Sequence, residues 1–247
     1  VALTFLLLFG AGLWAGVQNA LAGGGSFVTL PALIFAGLDP RLANITSTVA
    51  LFPGQVTTGY AGRSLVANAE RLSFKAMAII TLIGGVAGAF LLLQTPSKVF
   101  AAMVPWLVLG ATGLFAWSSF GPKPHAQSVP PPAWVSGLIQ AAIAIYSGFF
   151  GGGAGIMTLA ALTLARMPVR NAAGTKNVLV SLSNFTATLV FVFSGAVAWG
   201  YALAIGSGSM LGGYLGAHAL KRVPVMVLKV GVVVIGIALT IGLFLRG

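Results

Sequence analysis

Asn19-Ala20-Leu21-Ala22-Gly23-Gly24-Gly25-Ser26-Phe27 interrupts an apolar run. The glycines follow a segment, Val1 to Leu21, long enough to span a bilayer, and they precede one, 26 to 37, that is too short. At about 1.5 Å per residue the short piece covers roughly 18 Å, against about 30 Å of hydrocarbon. The arrangement recurs at Gly151-Gly152-Gly153, which follows 133 to 150 and precedes a second short piece, 155 to 166. Long apolar segments fill the rest: 43 to 62, 73 to 94, 98 to 119, 172 to 194, 199 to 220 and 225 to 245.

A hydrophobic content of 58% with 6% charged residues describes an integral membrane protein, since soluble domains carry about a quarter charged residues. Thirteen Lys plus Arg oppose two Asp plus Glu, a formal charge of +11. The cations stand singly or in pairs between apolar runs, as topology signals do, and not in the clusters of a nucleic-acid binder. The absence of cysteine removes disulfides and thiolate sites, and two acids leave nothing for paired-carboxylate chemistry. No metal or cofactor site is expected. Val1 to Leu21 lacks a basic n-region and an A-x-A site, so it reads as a span and not as a cleaved leader.

Sliding the chain so that Gly24 falls on Gly153 exposes a duplication. Thr29 then meets Thr158, Leu33 meets Leu162, Arg41 meets Arg170, Thr46 meets Thr175 and Val49 meets Val178. The expected organisation is a first membrane repeat over 1–120, a Pro-rich linker over 121–132 and a second repeat over 133–247. Cytoplasmic loops carry the Lys/Arg excess. Arg63, Arg71, Lys75, Lys123, Lys221 and Arg222 are accordingly placed inside and the uncharged turn Gly195 to Gly200 outside. Equivalent segments then run in opposite directions. The expected fold is an all-α polytopic membrane protein, an inverted-topology repeat of two five-segment halves, each with a glycine-broken half-length helix.

Paired broken helices at corresponding positions point to a substrate site near the midplane of a secondary transporter. The first N–H groups of a helix lack intrahelical partners and carry partial positive charge, and glycine lets a ligand reach them. Asn19 and Ser26 flank the first break and Ser147 the second. Glycine clusters also serve close helix packing, the reading preferred for Gly84-x-x-x-Gly88 and Gly212-x-x-x-Gly216. After the half-helices come Thr46-Ser47-Thr48 and Thr175-Lys176-Asn177, with Gln55 matching Asn184. Lys176, Val180, Ser183 and Asn184 share one helical stripe. Such a lysine faces protein or water, not lipid, unless it snorkels to the cytoplasmic surface.

The remaining polar residues have simpler readings. Arg41 and Arg170 read as interfacial anchors or helix C-caps, Asp39 as a partner of Arg41, and Glu70 as a solvated loop residue. His218 reads as a packed histidine, His125 carries no signal, and the five tryptophans suit belt or packing roles.

Asn19-x-x-Ala22-Gly23-Gly24-Gly25-Ser26, Gly148-x-x-Gly151-Gly152-Gly153-Ala154-Gly155, and Thr175-Lys176 followed by Ser183-Asn184 together resemble the TauE/SafE sulfite exporter family, or toluene sulfonate uptake permeases. The resemblance covers essentially the whole chain. It implies a multi-pass protein of the cell inner membrane, a secondary transporter and not an enzyme. It also implies that the protein moves small sulfur or organosulfur oxyanions such as sulfite or sulfonates; export is the expected direction, which the resemblance itself does not fix. The partners implied are the anion and the lipid bilayer, with the coupling ion unspecified. Carried over by position and combined with the reading of the residues, the expected substrate-binding set is Asn19, Gly24, Gly25, Ser26, Thr46, Gln55, Gly152, Gly153, Thr175, Lys176, Ser183 and Asn184. Ser47 stands where the second repeat has Lys176, so an asymmetric site is expected. A passive anion channel is the nearest rival. An intramembrane enzyme is further off, because Ser207 or Ser209 with His218 lacks an orienting carboxylate.

Overall fold

The computed structural model describes residues 2–21, 24–121, 130–219 and 225–244, and among them it is all-helical. The order is α1 (Ala2–Leu21), α2 (Ser26–Phe35), α3 (Pro40–Gly62), a 3-10 turn (Arg63–Leu65), α4 (Phe74–Gln94), α5 (Ser97–Phe120), α6 (Ala133–Phe149), α7 (Ala154–Leu164), α8 (Val169–Phe193), α9 (Trp199–Ala219) and α10 (Val225–Phe244). Gly23, Lys123, His125, Lys221, Arg222 and most of the expected linker lie outside the described residues, as does the side chain of His218. Four described helices are long and apolar enough to cross a membrane by length and composition: 2–19 in α1, α4, 97–117 in α5, and α8. At 17 residues α6 is shorter than its expected segment, and the half-length helices α2 and α7 have 10 and 11.

Local chemistry sets the ends of these helices. Asp39 caps α3, its Oδ1 accepting the amides of Arg41 at 3.0 Å and Leu42 at 3.4 Å, with Pro40 at the first helical position. The expected Asp39–Arg41 pairing is thus a backbone cap. The Arg41 guanidinium instead reaches across to the end of α4, where Nη1 donates to the carbonyls of Leu93 and Thr95 at 3.1 and 3.0 Å. Both half-helices stop with a left-handed residue at equivalent places, Gly37 at φ 94° and Arg166 at φ 60°. The following amides of Leu38 and Met167 close back onto Leu33 and Leu162.

The packing exchanges helices between the halves. α1 lies along α9, with Gly12 against Ile205, Gly16 against Ser209 and Gly212 against Leu13. α4 lies along α6 in the same manner, Gly84 against Ala144 and Gly88 against Ile145 and Phe149. Residue numbers rise together in both pairs, so each pair is parallel. α3 and α8 meet head to tail: Phe52 beside Phe185, Gly59 beside Ser181 and Gly62 beside Gly174. Small residues at these seams let backbones approach closely, the main source of helix association where lipid removes the hydrophobic drive. Gly84, Gly88 and Gly212 therefore have the packing role expected of them. Phe27, Phe100, Phe150, Phe191 and Leu33 are buried at the centre, whereas Leu3, Leu6, Ile83, Phe90 and all five tryptophans are exposed on outer faces suited to lipid.

Candidate functional site

The two glycine breaks converge. Gly24 and Gly153, equivalent in the duplication, both have left-handed backbones, φ 85° and 80°. The Phe27 ring lies beside both: a Cβ on Gly24 would stand 3.0 Å from its Cδ2, and one on Gly153 would stand 3.8 Å from its Cζ and 2.9 Å from the Ala111 methyl. Glycine is required at these positions by φ and by packing, because an added Cβ meets neighbouring side chains.

Each break has its own fastening. At the first, Gln18 Nε2 donates to the Gly24 carbonyl at 3.0 Å, and the Gly25 amide donates to Asn19 Oδ1 at 2.7 Å. Asn19 thereby commits its acceptor oxygen, so amide donors are what it can offer a ligand. At the second, the Tyr146 hydroxyl donates to the Gly152 carbonyl at 2.7 Å. The amides of Gly153 and Gly155 donate to no backbone carbonyl among the described residues, as expected where a helix begins.

Between the breaks lies a cavity of about 50 Å³, lined by Asn19, Gly24, Ser26, Gln55, Thr58, Gly151, Gly153, Gly155, Ile156, Lys176, Asn177 and Val180. By the yardstick of about 10–15 Å³ per enclosed water, it has room for a few waters or one small oxyanion. Lys176 is half-buried and makes no hydrogen bond or ion pair among the described residues. Its Cδ is 3.7 Å from the point a Cβ on Gly155 would occupy, so the side chain runs past the start of α7. Both acids of the chain are elsewhere, Asp39 capping α3 and Glu70 exposed in the loop before α4. The described residues hold no cluster of three or more His, Cys, Asp or Glu that could bind a metal. A lysine, a helix start and several amides without a carboxylate are donor chemistry that suits an anion; of the two lining hydroxyls, Thr58 donates to the Gln55 carbonyl at 2.9 Å.

Of the expected substrate-binding residues, Asn19, Gly24, Ser26, Gln55, Gly153 and Lys176 line this cavity. The others stand around it. Gly25 is held by Asn19, and Gly152 by Tyr146. Thr46 Oγ1 accepts the Ala198 amide at 3.2 Å, and Thr175 Oγ1 accepts the Ala67 amide at 3.1 Å, docking the loop after α3 onto α8. Ser183 donates to the Ala144 carbonyl at 3.5 Å. Asn184 is buried, with Oδ1 near Gly151. Thr58, Gly155 and Asn177 were not in the expected set. Thr58 is one helical turn beyond Gln55, and Asn177 follows Lys176 on α8, so the polar stripe held a signal for both.

The description "Sulfite exporter TauE/SafE" matches residues 8–243. A probable membrane transporter protein, ORF9, of Sinorhizobium sp. is 34% identical over 96% of this chain and 90% of its own. A probable membrane transporter protein of Haemophilus influenzae is 28% identical over 95% and 92%, and the probable membrane transporter protein YfcA of Escherichia coli K12 is 29% identical over 87% and 79%. No solved structure matches the chain.

Proposed function

Because the chain belongs to the TauE/SafE sulfite exporter family, we propose that it is a secondary transporter exporting small sulfur or organosulfur oxyanions across the inner membrane by alternating access. The chief support is the meeting of Lys176 and both glycine breaks in one cavity without a carboxylate. In this reading the ammonium and the free amides of Gly153 and Gly155 replace the hydration the anion loses, and the amides of Asn19 and Asn177 with the hydroxyl of Ser26 hold its oxygens, while Thr58 keeps its proton on the Gln55 carbonyl. Gly25, Thr46, Gly152, Thr175, Ser183 and Asn184 support the site from behind.

Segments 1–120 and 133–247 act as inverted repeats joined by 121–132. The antiparallel meeting of α3 and α8, which are equivalent helices, supports this reading, as does the matched exchange of α1 onto α9 and α6 onto α4. Purified protein in liposomes preloaded with sulfite is expected to take up labelled sulfite by saturable counterflow. Flux that rises linearly with concentration and lacks counterflow would replace the carrier with a passive channel, and no flux of sulfite or any sulfonate would remove the substrate class.

A further inference from the structure

The Gly151 end of the cavity differs in chemistry from the Lys176 end. The three heavy atoms nearest the point that a Cβ on Gly151 would occupy are oxygens from three helices: the Ser147 carbonyl of α6 at 3.6 Å, Thr48 Oγ1 of α3 at 3.8 Å and Asn184 Oδ1 of α8 at 3.9 Å. Thr48, Ser147 and Asn184 are 8%, 3% and 2% exposed. Each oxygen is available as an acceptor. Thr48 spends its hydroxyl proton on the Asn44 carbonyl at 3.0 Å, so it presents lone pairs to the niche. The Ser147 carbonyl lies in the last turn of α6, the negative end of the helix dipole. The Gly151 amide, which a continuing helix would direct at that carbonyl, bonds Tyr146 at 3.4 Å instead. Ser147 Oγ is itself buried without a hydrogen-bond partner.

We propose that this niche binds a sodium ion. Three acceptor oxygens converging at a helix C-terminus beside unwound backbone suit a cation, and broken-helix transporters hold coupling cations in such places. The ligands are neutral and both acids lie elsewhere, which suits a single charge; calcium sites use carboxylates. A sodium ion here and the Lys176 ammonium would bracket the anion from two sides. The niche is nevertheless defined by its own oxygens, whichever anion the cavity takes.

The test reads the cation without any oxyanion, so its result is separate from that of the transport reading. The melting midpoint of purified protein is measured in NaCl, KCl and choline chloride at equal ionic strength. A saturable rise specific to NaCl is expected, with Thr48→Val and Asn184→Ala each weakening the apparent sodium affinity at least tenfold. Calorimetric titration of the unmodified protein with NaCl gives the affinity directly, should either variant fail to fold. Equal midpoints in NaCl and choline chloride, which would mean that only water fills the niche, overturn the proposal. An equal rise in KCl, or full sodium affinity in both variants, does the same.

Discussion

The helices after the two half-helices, α3 and α8, align at Thr46 with Thr175 and Val49 with Val178, yet between those positions Ser47 faces Lys176 in the alignment. In α3, Ser47 is buried and shares a 2.6 Å hydrogen bond with Thr29 of α2, so that position is closed and satisfied. In α8 the equivalent residue is Lys176, half-buried, lining the cavity and free of any hydrogen bond among the described residues. The breaks differ in their fastening: Gln18 and Asn19 tie the first through two hydrogen bonds and Tyr146 ties the second through one, while each keeps a buried unpartnered oxygen, Gln18 Oε1 and Ser147 Oγ. On the proposed reading, one half holds shape at this position and the other holds charge. A symmetric site would have needed two buried lysines, each costly to desolvate.

The largest expected effect tests whether the halves face opposite ways. With no native cysteine, single cysteines are unambiguous reporters. Ser64→Cys and Asn68→Cys should react with an impermeant maleimide from the cytoplasmic side and Gly195→Cys from the other. Reaction of both regions from one side would end the comparison, since the halves would then be parallel copies.

Next come the left-handed glycines. Gly24→Leu and Gly153→Leu should each abolish transport, because a left-handed backbone costs an L-residue roughly 1–2 kcal/mol and the crowding at Phe27 or Ala111 adds about 1–3 kcal/mol. Transport assays and melting midpoints together check this; wild-type rates in both variants would show that neither break needs its geometry. Gly155→Ala should act more mildly. Its backbone is helical and the methyl would lie in ordinary contact with Lys176 Cδ, narrowing the cavity without strain. Sulfonate transport should fall about tenfold while sulfite transport falls less, and equal losses for both would count against Gly155 bordering the bound anion.

Much of this organisation is legible in sequence because bilayer thickness is a fixed ruler. Segments 26–37 and 155–166 are anticipated as short and prove to be α2 at 26–35 and α7 at 154–164. The asymmetry of Ser47 and Lys176 also follows from alignment of the halves. The exchange of α1 onto α9 and of α4 onto α6 is not legible, since glycines at helical spacing allow close approach without naming the partner. Thr46 and Thr175 are expected as ligands from the polar segment after each half-helix, and a threonine there serves equally well to hold a loop. That choice depends on where the Ala198 and Ala67 amides arrive in three dimensions.

The smallest effect belongs to the closed side. Ser47→Ala removes one buried hydrogen bond and should cost about 1 kcal/mol of stability, with oxyanion affinity unchanged. A large loss of affinity at constant stability would mean that the first repeat also contacts the anion through this position.

Oxyanion affinity of purified Lys176→Gln protein, measured beside Ser47→Ala, tests the division of labour most directly. Charge-assisted contacts contribute about twice as much as neutral hydrogen bonds, and more in a low-dielectric site. Lys176→Gln should therefore weaken sulfite binding at least tenfold, and Lys176→Arg should not fully restore it because the planar guanidinium fills the space differently. An affinity for Lys176→Gln within about threefold of the unmodified protein, roughly 0.65 kcal/mol, would contradict the assignment of the bound anion's charge partner to α8.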